Sequence, residues 1–356
     1  MVVLQAEQWL RLTHDLFVAA GATESNATRV AESLVDSSLA GHDSHGVIRI
    51  IQYIQAIEAG HLDPAAEPQV VTETPSTALI DGKWTFGQVS AEICMKKAIQ
   101  QARGQGVAIA GLVNAYHIGR LGEYSEMAQQ AGMIGMVLAG GFGGVGGAKA
   151  TGVAPFGGAS AAFGTNPISF GLPAGEETGA MVDFATSAVA GGKISLARAK
   201  GAQLPPGCIL DKNGNPTTNP EDFYDGGVLM TFGGHKGYGL AVVTELLGQA
   251  LTGSDLCSDE KLGGGVYTRS GSLFLALDPA VFRPARDYAA VADATLRRIK
   301  AVPPAQGFSE VLIPGEPELR SRARRREEGI SLPDSSWQTL QQQAARCGVD
   351  TASLLS

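Results

Sequence analysis

From about residue 70 onward, short apolar runs alternate with stretches of helical periodicity; before that point there is helical periodicity alone. This change of texture limits the fold more than any other feature, because a chain mixing the two periods packs helices on a sheet. Three amphipathic patterns fill the first sixty residues. Trp9, Leu12, Leu16 and Phe17 with Ala20 keep helical spacing up to Gly21. Ala27, Val30, Ala31, Leu34, Val35 and Leu39 keep it up to Gly41. A third pattern starts near Ser44 and carries Ile48, Ile51, Ile54 and Ile57 to Gly60. A glycine just past the last periodic residue is a helix stop. Beyond residue 70, strands are expected at 77–81, 107–113, 135–139, 180–183, 272–277 and 310–313. Helices are expected at 88–102, 123–130, 236–251, 288–299 and 337–347. The fold class is α/β with a helical N-terminal part, and the Pro- and Gly-dense stretch 201–220 reads as a loop.

Composition narrows the function. Glycine supplies 47 of 356 residues, about twice the usual share, without a G-X-Y period. Such glycine marks places where backbone turns tightly or approaches something closely. Net charge is −8, so no general basic field exists to attract nucleic acid or an anionic membrane. The one basic cluster, Arg320 to Arg326, is followed by Glu327 and Glu328 and reads as a solvated helix face. Cys94, Cys208, Cys257 and Cys347 are scattered without C-x-x-C spacing, which fits a reducing compartment rather than a disulfide framework. The first residues carry neither a basic patch nor a long apolar run, so a cytoplasmic protein without a secretion leader is expected. The uncharged run 131–148 is too glycine-rich for a membrane span.

Gly141-Phe-Gly143-Gly-Val-Gly146 matches G-x-G-x-x-G after a strand. Its context fails as a dinucleotide fingerprint. Gly152, Pro155, Gly157 and Gly158 prevent a helix from opening there, and no acidic residue lies about 20 positions on. A glycine loop near a ligand is the better reading. The densest chemistry is His42-Asp-Ser-His45-Gly-Val-Ile-Arg49. If Asp43 or Ser44 caps the third helix, His45 falls in its first turn, where the helix dipole disfavours imidazolium. Arg49 then lies on the same face. A proton-exchanging histidine beside a guanidinium fork suits a 2-oxo acid. A capping histidine with a surface arginine, or a metal site from His42, Asp43 and His45, are the other readings.

Asn114-Ala-Tyr-His117-Ile-Gly119-Arg120-Leu121 follows the apolar strand 107–113, where α/β proteins place ligands. Gly164-Thr165-Asn166-Pro167 and Asp183-Phe184-Ala185-Thr186-Ser187 are polar clusters after apolar runs. Gly233-Gly-His235-Lys236-Gly237 opens a helix and suits a phosphate or carboxylate.

Together and in this order, these motifs, with Ile313-Pro314-Gly315-Glu316, resemble the malate/L-lactate dehydrogenase-type oxidoreductases that lack a Rossmann domain. Within that family the resemblance is nearest to the hydroxycarboxylate dehydrogenase B branch, through His117 to Arg120, Pro205 to Pro220 and Glu310 to Glu316. The segment Gly140 to Gly152 departs from the family's shorter pattern. The resemblance implies a non-Rossmann fold with a central mixed sheet, a homodimer, and NAD or NADP as cofactor. It implies that a helical N-terminal region, residues 1–70, packs with C-terminal helices in 316–356, and that an α/β domain, residues 71–315, holds cofactor and substrate. It makes His45 the acid/base residue, with His117 the second candidate, and it makes Ser44, Arg49 and Arg120 the substrate contacts. Cofactor contacts would come from His45, Gly119, Arg120, Leu121, Thr165, Asn166, Asp183, Phe184, Ala185, Thr186, Ser187, His235, Lys236, Pro314, Gly315 and Glu316. The expected activity is hydride transfer between nicotinamide and a 2-oxo/2-hydroxy acid pair. Reduction of a cyclic imine carboxylate is the runner-up, and a metal-dependent hydrolase or a catalytically dead ligand-binding relative are alternatives from other classes.

Overall fold

The computed structural model describes residues 1–141, 152–257, 259 and 261–351. In chain order the elements are β1 (Val2–Leu4), α1 (Ala6–Ala19), α2 (Glu24–Leu39), α3 (Arg49–Glu58), β2 (Gln69–Glu73), β3 (Thr77–Asp81), α4 (Gly87–Gln105), β4 (Val107–Val113), α5 (Gly122–Gln130), β5 (Ile134–Gly140), β6 (Ile168–Leu172) and β7 (Ala180–Phe184). There follow α6 (Gly191–Ala199), β8 (Ile209–Leu210), β9 (Pro216–Thr217), α7 (Pro220–Tyr224), β10 (Val228–Leu229), α8 (His235–Glu245), β11 (Gly271–Leu277), α9 (Ala285–Lys300), α10 (Glu316–Glu328), β12 (Ile330–Leu332) and α11 (Asp334–Arg346).

Seven strands form the central sheet in the order β2-β3-β4-β11-β5-β6-β7. Only β3 and β4 run parallel; the other neighbours are antiparallel, so the sheet is mixed. β11 is central, with Leu275 opposite Ile109 of β4 and Met136 of β5. On one face, Met95, Ala98 and Ala102 of α4 pack in one cluster with Ala110, Leu112, Val137 and Phe274. A smaller cluster around Leu138, Ile168 and Leu273 includes Leu247, from the turn after α8. A separate core joins Trp9, Leu16, Leu34 and Tyr53 of the first helices to Ile330, Leu332, Trp337 and Leu340 near the C-terminus. β1 pairs antiparallel with β12, and the Trp9 indole donates to the Ile330 carbonyl at 3.1 Å. This core also takes in Phe86, Val89 and Tyr116, which tie it to the start of α4 and the end of β4.

Several expectations need correction. The third helix begins at Arg49, because Gly46 (φ −93°, ψ −152°) interrupts it; Asp43–His45 form a separate 3-10 turn. Its buried face is Ile50, Tyr53, Ile54 and Ala56, while Ile48 is exposed. Residues 310–313 form no strand. Glu310 pairs with Arg320 and the Ile313 amide donates to the Glu316 carboxylate, so the segment leads into α10. The helix expected to reach Leu251 is α-helical to Glu245 and then widens into a π turn, Leu246–Ala250. The stretch 201–220 carries β8 and β9 of a small three-stranded sheet. The basic cluster is not simply a solvated face. Arg322 is buried against Asp36 and Glu126, and Arg325 pairs with Asp43. β2 has no alternation to detect, since every one of its residues is exposed.

Candidate active site

The site starts where β4 ends. Gly87 lets the first turn of α4 press on the chain leaving β4: a Cβ there would lie 2.3 Å from the Tyr116 carbonyl and 2.4 Å from that of His117. No side chain fits such a gap. The Tyr124 hydroxyl, donating to the Ile118 carbonyl, fixes the next residue. His117 is thereby buried at 9% exposure, and its ring stacks on His45 with centroids 5.5 Å apart. Tyr267 and Tyr53 wall the other sides of His117, at 5.5 and 6.0 Å.

The Tyr53 hydroxyl lies 2.7 Å from His117 Nδ1 and accepts from Gln88 Nε2 at 2.7 Å. His45 Nδ1 lies 3.0 Å from the Ser44 hydroxyl. Arg49 Nε donates to the Ser44 carbonyl at 2.5 Å and Nη1 donates to Gln52 Oε1. Gln52 donates in turn to the Tyr116 hydroxyl at 3.1 Å. His45, Ser44, Arg49 and His117 therefore form one cluster.

No helix dipole acts on His45 from within α3, because His45 lies in the 3-10 turn before that helix. Desolvation, then the neighbouring Arg49, His42 and Arg120, push its pKa down to about 3. Burial, with Arg49 and His45, holds His117 well below the usual imidazole range. Both rings are neutral at ordinary pH, by burial rather than by a dipole.

Arg120 turns the other way. Its side chain is 1% exposed, and Nη2 lies 3.0 Å from Asp36 and 3.5 Å from Glu126. Arg322 bonds both carboxylates. Nε and Nη1 of Arg120 are buried without a hydrogen-bond partner. The metal reading fails on its donors: His42 Nε2 bonds Glu318 at 3.3 Å and Asp43 is held by Arg325. Among the described residues no group of three His, Cys, Asp or Glu could hold a metal ion.

Most of the remaining sequence candidates lie around β7 and at the start of α8. Asp183, at the end of β7, accepts from the Gly122 amide at 2.6 Å, and burial raises its pKa against the pull of Arg120. Phe184 packs edge-to-face on Phe232 at 5.4 Å, Ala185 continues the strand's exit, and the Thr186 hydroxyl bonds the Thr165 and Asn166 carbonyls. Ser187 donates to the Val189 carbonyl. Asn166 holds φ +39°, donates to the Ala241 carbonyl and Glu245, and keeps a buried Oδ1 with no partner. His235 and Lys236 are exposed in the first turn of α8. Beside them a cavity of about 230 Å³ is lined by Pro155, Phe156, Leu210, Met230, Thr231 and Gly234. Pro314 accepts from the Met181 amide, and Gly315 takes φ +101° beside Met181. The Glu316 carboxylate is engaged by the Ile313 amide and Lys300. Leu121 is buried. The fingerprint-like Gly141–Gly146 lies, beyond Gly141, outside the described residues.

The chain matches the malate/L-lactate dehydrogenase family over residues 4–341. It belongs to that family. Hydroxycarboxylate dehydrogenase B of Escherichia coli K12 is 36% identical over 348 residues, 95% of this chain and 92% of that protein. The solved sulfolactate dehydrogenase of Methanocaldococcus jannaschii superposes with a TM-score of 0.89 at 34% identity, covering 98% of each chain. The delta1-piperideine-2-carboxylate reductase of Pseudomonas syringae gives 0.83 at 29% identity, covering 97% of this chain and 100% of that one. The family, its mixed-sheet fold and its oxidoreductase chemistry agree with the resemblance carried by the motifs.

Four participants escaped the sequence reading: Tyr53, Tyr267, Gln88 and Gln52. For Tyr53 a signal existed. It lies four residues after Arg49 on α3, a polar-tipped residue on the buried face. Gln88 carried no such signal, since a glutamine in a first helical turn is ordinarily solvated.

Proposed function

We propose that this protein is an NAD- or NADP-dependent oxidoreductase that interconverts a small 2-oxo acid and its 2-hydroxy acid. The observation that carries this reading is the pair of neutral histidines stacked at 5.5 Å beside Arg49. A bound nicotinamide cofactor supplies the hydride chemistry. The residues present fit such a group. Asn166 Oδ1 is a buried acceptor without a partner, Arg120 keeps two unpartnered donors, and the α8 N-terminus with His235 and Lys236 suits phosphate. Thr165 and Asn166, Asp183 to Ser187, His235, Lys236 and Pro314 to Glu316 would hold the cofactor on one side, and Gly119 to Leu121 on the other.

His117 exchanges the proton at the substrate oxygen, because its ring is fixed by a buried hydrogen bond. His45, stacked on it, shapes the pocket around His117. Arg49 anchors the substrate carboxylate, oriented by Ser44 and Gln52, and the tyrosines around His117 exclude water. Arg120 acts through charge and position rather than as a free carboxylate fork, since Asp36 and Glu126 already occupy one edge.

The protein is read as a cytoplasmic homodimer. Four unpaired cysteines suit a reducing compartment. Val243, Leu246, Leu251 and Leu256, 47 to 82% exposed along α8 and the turns after it, supply an apolar face for a second copy. Among the described residues no helix is long and apolar enough to cross a membrane.

A second reading, reduction of a cyclic imine carboxylate, draws support from the similarity to the piperideine carboxylate reductase. The same anchor and proton donor serve both. A spectrophotometric screen of 2-oxo acids and cyclic imine carboxylates with NADH and NADPH separates them, and fluorescence titration with both cofactors is expected to show saturable binding. Absence of binding to either cofactor would overturn the proposal.

A further inference from the structure

Tyr53 has one hydroxyl proton and two hydrogen-bond partners, each at 2.7 Å, in a place closed to bulk solvent: Tyr53 and Gln88 are both 0% exposed. In the arrangement seen, Gln88 Nε2 donates to the Tyr53 oxygen, so the phenolic proton points to His117 Nδ1. That nitrogen is then bare, and the proton of the neutral ring sits on Nε2. His117 therefore offers a donor there, the sense that a carbonyl oxygen requires.

An amide's oxygen and nitrogen are nearly the same size. Turning the Gln88 amide over needs no room, and Oε1 has no partner to lose in the present orientation. With Oε1 toward Tyr53, the phenol would donate to Gln88, and the ring that fits is the other tautomer of His117, with Nδ1–H donating to the Tyr53 oxygen and Nε2 an acceptor. That is the sense a substrate hydroxyl requires. The inventory of protons is the same in both arrangements: one on the phenol, one on the imidazole, two on the amide. Burial pushes the phenol's pKa up and the imidazole's down, so all three side chains remain neutral. The chain ends at an amide that does not ionise. It orients a proton without conducting one to solvent.

We propose that Tyr53 and Gln88 are positioning residues that set which ring nitrogen of His117 carries the proton, and that the Gln88 orientation seen holds His117 Nε2 as the donor. This rests on the reading of His117 as the proton-exchanging group.

The test is the tautomer itself, read by two-bond ¹H–¹⁵N correlation on full-length protein labelled with ¹⁵N-histidine, with His117 assigned through His117→Gln. In the wild type at neutral pH without ligand, His117 is expected to be at least about tenfold in favour of the Nε2–H form, a bias of ~1.4 kcal/mol. Gln88→Leu and Tyr53→Phe, which leave the ring untouched, are each expected to bring the two forms to comparable populations. Melting temperature serves as the folding control. A wild-type ring already split between the forms overturns the proposal, as does a wild-type tautomer ratio in whichever variant folds. Both results are independent of whether His117→Ala loses activity, so the two readings fail separately.

Discussion

The segment from Tyr116 to Gly122 faces two environments only three residues apart. His117 enters a wall of Tyr53, Tyr116, Tyr267 and Gln88, where each polar tip is neutral. Arg120 enters a lattice of Asp36, Glu126 and Arg322, where each tip is charged. Burial is comparable, at 9% and 2% exposure. What differs is whether an opposite charge is available to offset desolvation. Where it is, as at Asp36, burial works to raise the carboxyl's pKa, but Arg322 and then Arg120 win and hold it low. Where it is not, the histidines lose their charge instead. One wall is suited to exchange protons and the other to hold a shape.

The largest expected effect lies on the neutral wall. His117→Ala should lower kcat by ~10²–10⁴-fold, the usual contribution of a positioned acid or base, with cofactor affinity little changed. His45→Ala should cost clearly less in kcat. If steady-state kinetics show the reverse order, His45 is the proton-exchanging residue and the two walls divide the work differently.

On the charged wall the same size of change should appear in stability, not in chemistry. Arg322→Met strands Asp36 and Glu126 beside Arg120 alone. Removing one partner of a buried pair costs about 3–5 kcal/mol. The low end is expected here, because Asp36 keeps 33% of its side chain accessible. Urea unfolding should show this loss while KM for the acid substrate holds. A stable variant with altered KM would make Arg322 a member of the substrate site.

Arg49 stands beside the neutral wall, joined to it through Gln52 and Tyr116, and its fork is already engaged by Ser44 and Gln52. Arg49→Lys keeps the charge but not the fork. The expected loss is roughly tenfold in KM, about 1.4 kcal/mol, with kcat nearly preserved. A loss carried by kcat instead would mean that Arg49 orients the reacting atoms.

Sequence reading recovered one of these walls better than the other. His45, Arg49 and His117 stand out because polar residues cluster after apolar runs, and sheet strands such as 77–81 and 107–113 coincide with β3 and β4. The position of His45 in the 3-10 turn was illegible. Nothing in Ser44-His45-Gly46 distinguishes a first helical turn from a turn that precedes one, and Gly46 is forced non-helical where its missing side chain faces Ser38: a Cβ there would fall 1.9 Å from the Ser38 hydroxyl. The charged wall was illegible for a related reason. Arg322 sits 286 residues from its partner Asp36, and no local pattern reports a contact made by folding. Strand β1 pairs with β12 across the same kind of distance.

The smallest effect separates the walls by pH. His45 and His117 titrate lower in the folded chain than the unperturbed value of about 6.5, so below that pH the unfolded chain binds protons that the folded one refuses. Their contribution is fully present above about pH 6.5 and is lost as pH falls, for His45 until about pH 3. By about pH 5.5 the loss is up to ~1.4 kcal/mol per histidine. The charged wall responds later. Asp36, held low by Arg322, and Glu318, held low by His42, give up stability only as pH falls through and below the ordinary carboxylate range. His14 works in the opposite direction, since Asp15 raises its pKa and its contribution is lost as pH rises. Melting curves between about pH 7.5 and 5 should therefore slope downward toward acid in the wild type. In His45→Gln/His117→Gln the slope should flatten or reverse, leaving His14 visible. An unchanged slope in the double variant would mean that the neutral wall is not what the folded protein protects from acid.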